Sequence, residues 1–171
     1  MNQDIVLTVL GKDRPGIVDA IAKKISDLGG SWKESRLAHL QDQFAGIIEI
    51  TLPSGKIVSF EESLRDLEQA WNLHFQYCVV KSLKQPGELV DLECMGQDRP
   101  GIVFAISDLL FDLNINVESM DTSLQNAPMS GEMLFCVKFQ VQLPEEMDLD
   151  LLEDRLSSIS EELLLDVNVR D

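Results

Sequence analysis

The sequence predicts an α+β protein made of two successive units with the same element order, βαββαβ. Each unit is expected to form an antiparallel sheet with its helices on one face. The prediction rests on a repeat: Asp-Arg-Pro-Gly-Ile-Val begins at Asp13 and again at Asp98, 85 positions later. Around both copies, apolar residues alternate before the repeat and recur every three or four positions after it, as in a strand followed by a helix.

Each unit begins with a strand, "DIVLTVL" in the first and "ELVDLEC" in the second, in which apolar residues alternate. The helices that follow have apolar stripes in the same register. These stripes are Ile17, Ala20, Ile21, Ile25 and Leu28 in the first unit and Ile102, Ala105, Ile106, Leu110 and Leu113 in the second.

Proline and aspartate are expected to mark the start of each of these helices. Pro15 and Pro100 are predicted to lie in the first helical turn, which tolerates proline, with Asp13 and Asp98 as N-caps. The first helix is expected to end at Gly29-Gly30 and the second near Asn114, because both residue types accept left-handed C-terminal geometry.

Two strands, a helix and a closing strand complete each unit. The strands are "WKESRLAHL" and "FAGIIEITL", joined by "QDQ", and "NVESMDTSL" and "EMLFCVKFQVQL", joined by the longer "QNAPMSG". The helices are "SFEESLRDLEQAW", with a capping box of Ser59 and Glu62, and "DLDLLEDRLSSISEEL". The closing strands are "LHFQYCVVKSL" and "LLLDVNVR". This order is that of the ferredoxin-like fold.

The composition of "KQPGE", Lys84 to Glu88, predicts a short linker. The predicted domains are therefore residues 1–84 and 85–171. Charge is distributed unevenly between them: residues 1–84 have 11 acidic and 10 basic side chains, and residues 85–171 have 19 and 4. Because nucleic-acid binding requires basic residues to neutralise phosphates, we expect no direct nucleic-acid contact by the second half.

Three cysteines, Cys78, Cys94 and Cys136, lie in apolar strand-like runs without CxxC spacing. This pattern predicts buried free thiols in a cytoplasmic protein. No export signal or membrane span is expected. His39 and His74 stand alone, so neither a metal site nor a catalytic residue is predicted, and the chain is not expected to be an enzyme.

The repeated loop in this context resembles the ACT domain, a small regulatory module that commonly binds amino acids at an interface between units. The whole chain also resembles the glycine cleavage system transcriptional repressors of gammaproteobacteria, through "LGKDRPGIV", "SRLAHL" and "FAGIIEI". That resemblance implies repression of the glycine cleavage operon in response to glycine. It implies action through the operon's DNA-bound activator protein as partner, which agrees with the acidic charge.

The repeated loop leads into a helix N-terminus, where free N–H groups and the helix dipole favour an anion such as an amino-acid carboxylate. The resemblance also implies an asparagine at the start of the second strand, a position that Asn116 has in the second unit and Ser31 in the first. The second unit is therefore the better candidate for a complete site, which the loop of the first unit can complete across an interface. The candidate ligand residues are Asp13, Arg14, Gly16, Ile17 and Ser31 in the first unit and Asp98, Arg99, Gly101, Ile102 and Asn116 in the second. No cofactor is expected beyond an amino-acid effector such as glycine.

Two alternatives stay open from the sequence. The loop can be a tight strand-to-helix turn that the fold requires twice, with no ligand. In that case Arg14 and Arg99 would bridge to neighbouring acidic side chains. The chain can also be a sensor or regulatory subunit of an enzyme of amino-acid metabolism. In either case open sheet edges favour pairing of units, and a homodimer is expected.

Overall fold

The computed structural model of the chain describes residues 1–80, 87–127 and 132–170. The chain divides into two compact units, Met1–Leu83 and Lys84–Asp171. Most of the predicted linker, and most of the predicted hairpin loop "QNAPMSG", lie outside the described residues. Glu88, placed in the linker by the sequence, is the first residue of a strand.

The first unit is an antiparallel four-stranded sheet with two helices on one face. Its elements are strand β1 (Asn2–Lys12), helix α1 (Ile17–Asp27), strands β2 (Ser31–Leu40) and β3 (Gln43–Pro53), helix α2 (Ile57–Trp71) and strand β4 (Leu73–Val80). The sheet order is β2-β3-β1-β4. Alternation places Ile5 opposite Ile50 and Leu7 opposite Ile48, and all four side chains are buried beneath the helices.

The second unit repeats this architecture. Its elements are strand β5 (Glu88–Gln97), helix α3 (Ile102–Asp112), strands β6 (Asn116–Asn126) and β7 (Met133–Leu143), helix α4 (Leu149–Leu163) and strand β8 (Leu165–Arg170). The sheet order is β6-β7-β5-β8. Leu92 and Phe139 face each other in its buried core. The predicted fold class, two ferredoxin-like βαββαβ units, is confirmed.

The predicted starts of α1 and α3 are wrong by two residues. Both helices begin after a glycine in left-handed geometry, Gly16 with a φ of 97° and Gly101 with a φ of 99°. Glycine adopts this conformation without steric cost, so it turns the chain directly into the helix. Pro15 and Pro100 therefore precede the helices, and neither Asp13 nor Asp98 is an N-cap.

The predicted capping box of α2 is also wrong. Pro53 ends β3, and a short 3-10 turn, Ser54–Lys56, starts the helical path earlier than the sequence suggested. The Ser54 hydroxyl and N–H both donate to the Met1 carbonyl oxygen, at 2.8 and 3.0 Å. Ser59 therefore lies inside the helix. The predicted helix ends hold, with Gly29 and Asn114 both at positive φ.

The three cysteines differ in exposure. Cys94 and Cys136 are buried as expected, and burial raises the pKa of the Cys94 thiol to about 11, so it is protonated at neutral pH. Cys78 is exposed, against expectation, because it lies on the sheet face opposite the helices. Among the described residues, none of the helices is both long and apolar enough to cross a membrane.

The sheet face opposite the helices has a different character in each unit. In the first unit it carries apolar side chains such as Val6 and Ile47, the latter 54% exposed. In the second unit the Glu93 carboxylate lies 3.1 Å from the Lys138 ammonium and 3.6 Å from the Arg170 guanidinium. Two of the four basic residues of the second unit are therefore paired on this face.

Candidate functional site

The candidate site in each unit is the loop between the first strand and the first helix. Both loops are held by one backbone hydrogen bond to the neighbouring strand region. The Asp13 N–H donates to the Asp42 carbonyl oxygen at 2.8 Å, and the Asp98 N–H donates to the Met133 carbonyl oxygen at 3.2 Å. The two loops therefore share their backbone path, and they differ in what surrounds them.

The first loop is covered by the end of helix α2. The Arg14 guanidinium lies 4.2 Å from the centroid of the Trp71 ring and donates to the Ala70 carbonyl oxygen at 2.9 Å. A β-carbon added at Gly16 would lie 3.1 Å from the same ring. Arg14 therefore contacts the end of α2, and no carboxylate among the described residues pairs with it. Its charge is engaged by a cation–π contact and a helix C-terminus.

The other polar groups of the first loop also have partners within the unit. The Asp13 carboxylate lies 3.5 Å from the His39 imidazole. Helix α1 has Asp19 in its first turn, where a carboxylate compensates the positive end of the helix dipole. The first loop thus already contains counterparts for its charged groups.

The second loop lacks these counterparts. Leu163 ends α4 where Trp71 ends α2, and Leu124 occupies the position equivalent to His39. Within the described part of the chain, the Arg99 guanidinium and the Asp98 carboxylate make no hydrogen bond or ion pair. A β-carbon added at Gly101 would meet no atom within 4 Å. Among the described residues, the glycine before the helix is therefore covered by an aromatic ring in the first loop and uncovered in the second.

A shallow cavity of about 240 Å³ lies over the second loop. Its lining residues are Asp98, Arg99, Gly101, Ile102, Val103, Phe104 and Phe135. The first N–H groups of any helix have no intrahelical partner. In α3 no acidic first-turn residue and no side-chain cap compensates them. A carboxylate, a guanidinium and a helix N-terminus in one cavity form a set that matches both ends of a free amino acid.

Ser31 and Asn116 lie away from the loops of their own units. Ser31 pairs with Thr51, which pairs with Asp4, whereas the loop follows Lys12 at the other end of β1. Eight residues of strand separate these ends by roughly 26 Å. Asn116 has the equivalent position, and its amide donates to the Glu118 carboxylate at 2.6 Å. A site built from one unit therefore includes neither residue.

The sequence reasoning did not assign Ala70, Trp71 or His39 to the first loop. Arg14 and Ala70 are 56 residues apart, and no local pattern indicates such a contact. A comparison of the two copies would have indicated it, because Trp71 and His39 align with apolar residues in the second copy. The described residues contain no group of three or more His, Cys, Asp or Glu side chains arranged to hold a metal ion.

The first unit matches a known protein family. Residues 3–77 match the model of the ACT domain. The first unit is therefore similar to the ACT domain over most of its length, and the second unit has the same fold.

The chain is 38% identical over 60 residues to the glycine cleavage system transcriptional repressor of Escherichia coli, and equally to that of Shigella flexneri. The match spans 35% of this chain and 32% of each relative, about a third of their length.

Two crystal structures share the fold over almost the whole chain. An unknown protein from Galdieria sulphuraria has 26% identity and a TM-score of 0.88, with 99% of this chain and 98% of that chain covered. A protein provisionally named a glycine cleavage system transcriptional repressor has 19% identity and a TM-score of 0.70, with 99% and 97% covered. A tandem arrangement of two βαββαβ units therefore occurs in solved structures.

Proposed function

We propose that this chain, with an ACT-like unit followed by a second unit of the same fold, is a non-enzymatic regulator that responds to an amino acid. We further propose that it represses the glycine cleavage operon through a DNA-bound protein partner. The observation that carries the proposal is the 38% identity over 60 residues to a glycine cleavage system transcriptional repressor.

The proposed effector site is the second loop. The carboxylate of a small amino acid would accept from the first N–H groups of α3 and from Arg99, and its ammonium would donate to Asp98. Among the described residues, no side chain pairs with Arg99 or Asp98, whereas in the first unit Trp71 contacts Arg14 and His39 contacts Asp13. We therefore propose one effector site per chain. Ser31 and Asn116 would take part only if another unit brought them beside a loop.

Charge supports a protein partner over direct contact with DNA. The chain has a formal net charge of −16, and residues 85–171 contain 19 acidic and 4 basic side chains. A surface of this sign repels phosphates and attracts basic protein surfaces. Repression would then depend on a protein that itself holds the DNA.

Calorimetric titration with glycine and then serine tests the effector site. Wild-type chain is expected to bind one amino acid. Arg99→Met keeps the aliphatic stem but removes the charge that faces the carboxylate. Because a hydrogen bond to a charged group contributes about 1.5–3 kcal/mol, affinity should fall about 10- to 100-fold.

Arg155→Met is the matched control, since Arg155 is an exposed arginine on α4 outside the cavity. It should bind like the wild-type chain. If no small amino acid produced heat with the wild-type chain, the loop would be a structural turn and the sensing function would be wrong. If both variants bound like wild type, the effector would lie elsewhere.

A mobility-shift assay on the operon's control region tests the repressor function. The chain alone should leave the DNA unshifted at physiological salt. With the operon's activator present, the chain should change the mobility of the activator–DNA complex. A direct shift by the chain alone, or no effect on the activator complex, would contradict this part of the proposal.

A further inference from the structure

Helix α3 exposes two phenylalanine side chains on the side away from the core. Phe104 is 73% exposed and Phe111 is 79% exposed. Residues seven positions apart lie on one helix face, so the two rings form one apolar stripe with Asp108 between them. We name Phe104 and Phe111 the phenylalanine stripe. Large aromatic side chains at this exposure are typical of an interaction surface.

The first unit shows that the fold does not require this stripe. At the equivalent positions α1 has Asp19 and Ser26, with Lys23 in place of Asp108. Lys23 lies 3.4 Å from the Asp27 carboxylate, as expected for a solvated helix face. Two copies of one fold therefore present a polar helix in one unit and an aromatic helix in the other.

The surroundings of the phenylalanine stripe are acidic. Helix α3 contains Asp108 and Asp112 and no Lys or Arg. Of the four basic residues in residues 85–171, Lys138 and Arg170 pair with Glu93 on the opposite sheet face. The other two basic residues are Arg99 in the loop before α3 and Arg155 on α4, but α3 and α4 together carry seven acidic side chains. The helix side of the second unit therefore combines apolar rings with net negative charge.

We propose that the phenylalanine stripe docks a basic amphipathic segment of a partner protein. Apolar side chains of that segment would cover Phe104 and Phe111, and its Lys or Arg residues would lie beside Asp108 and Asp112. A second copy of this chain is the weaker occupant, because two stripes facing each other would bring like charges together. The proposal concerns the partner surface of the regulator proposed above, and it rests on that function for the existence of a partner.

The test uses a synthetic helical peptide with Leu at i, i+3, i+4 and i+7 and Lys elsewhere, labelled for fluorescence anisotropy. The full chain should bind it at about 0.15 M salt, and a version with Glu in place of every Lys should not bind. Phe111→Ser, which installs the residue found in α1, should weaken binding roughly tenfold or more. Val58→Ser removes an exposed apolar side chain from the first unit and should bind like wild type.

The double variant F104D/F111S separates apolar docking from charge attraction, since it removes both rings and adds a negative charge. Its binding should be lost. Equal binding by this variant and the wild-type chain would show charge attraction alone, and absence of binding to the wild-type chain would also overturn the proposal. A wild-type dimer in sedimentation that Phe111→Ser dissociates would show that a second copy covers the stripe.

Failure of the docking surface can be told apart from failure of the effector site. Phe111 lies about 15 Å along α3 from Gly101, because ten helical residues rise 1.5 Å each. Glycine titration of Phe111→Ser should therefore give the wild-type result. Peptide binding without glycine binding would support the docking surface and contradict the sensing function. Glycine binding without peptide binding would contradict only the docking surface.

Discussion

Gly11→Ala is expected to lower the free energy of unfolding of the first unit by about 2 kcal/mol. Gly11 pairs with Leu73 at the point where β4 begins. An added β-carbon would lie 2.6 Å from Leu73 Cδ2 and 2.9 Å from the Asn72 carbonyl oxygen. The backbone must shift to relieve the second contact. Urea denaturation monitored by tryptophan fluorescence measures the effect, because Trp32 and Trp71 both belong to the first unit.

Gly55→Ala is the control for this variant, since a β-carbon at Gly55 would meet no atom within 4 Å. Its effect should stay within about 0.5 kcal/mol. Equal midpoints for the two variants would contradict the close packing at Gly11. The second unit repeats the contact, with a β-carbon at Gly96 lying 2.5 Å from Leu165 Cδ2 and 2.9 Å from the Leu164 carbonyl oxygen.

The two glycines of each repeat are therefore required for different structural reasons. Gly11 and Gly96 allow close approach of the last strand of each unit, and Gly16 and Gly101 allow left-handed geometry at the helix start. Both requirements belong to the fold. The repetition of the loop is thus explained without a ligand, and evidence for binding must come from what differs between the copies.

The fold was predictable because the alternation of the strands and the three-to-four residue spacing of the helices are local patterns, and both are repeated in register in the two units. Ile17, Ile21 and Ile25 are buried as their spacing indicated, and so are Ile102 and Ile106. The helix starts were not predictable from propensity alone. Asp and Pro favour N-terminal positions, but the positive φ of Gly16 and Gly101 moved both starts past them.

The candidate site was predictable only as a position in the chain. The sequence located the loops, but the contacts that distinguish them come from residues distant in sequence. Arg14 contacts the end of α2, and Asp13 contacts His39 in β2. Separation of Ser31 from its loop follows from strand direction, since β2 starts at the end of the sheet where β1 also starts. A family pattern identifies ligand residues such as Ser31 without stating whether they and the loop come from the same unit.

Leu163→Trp is expected to abolish amino-acid binding by giving the second loop the cover that Trp71 gives the first. Leu163 is half-buried at the last position of α4, as Trp71 is at the last position of α2. An indole there would lie over Arg99 and beside Gly101, and the cavity would close. The effector carboxylate would then lose its contacts with both the Arg99 guanidinium and the helix N-terminus. Glycine affinity should therefore fall more than 100-fold, which corresponds to about 3 kcal/mol.

Leu151→Trp is the control, because it adds the same ring at an exposed position near the start of α4, about 18 Å along the helix from Leu163. It should bind glycine like the wild-type chain, and circular dichroism should show both variants folded. Wild-type affinity in Leu163→Trp would mean that the second loop does not hold the carboxylate. Loss of binding in that variant alone would tie effector binding to the absence of an aromatic cover over the second loop.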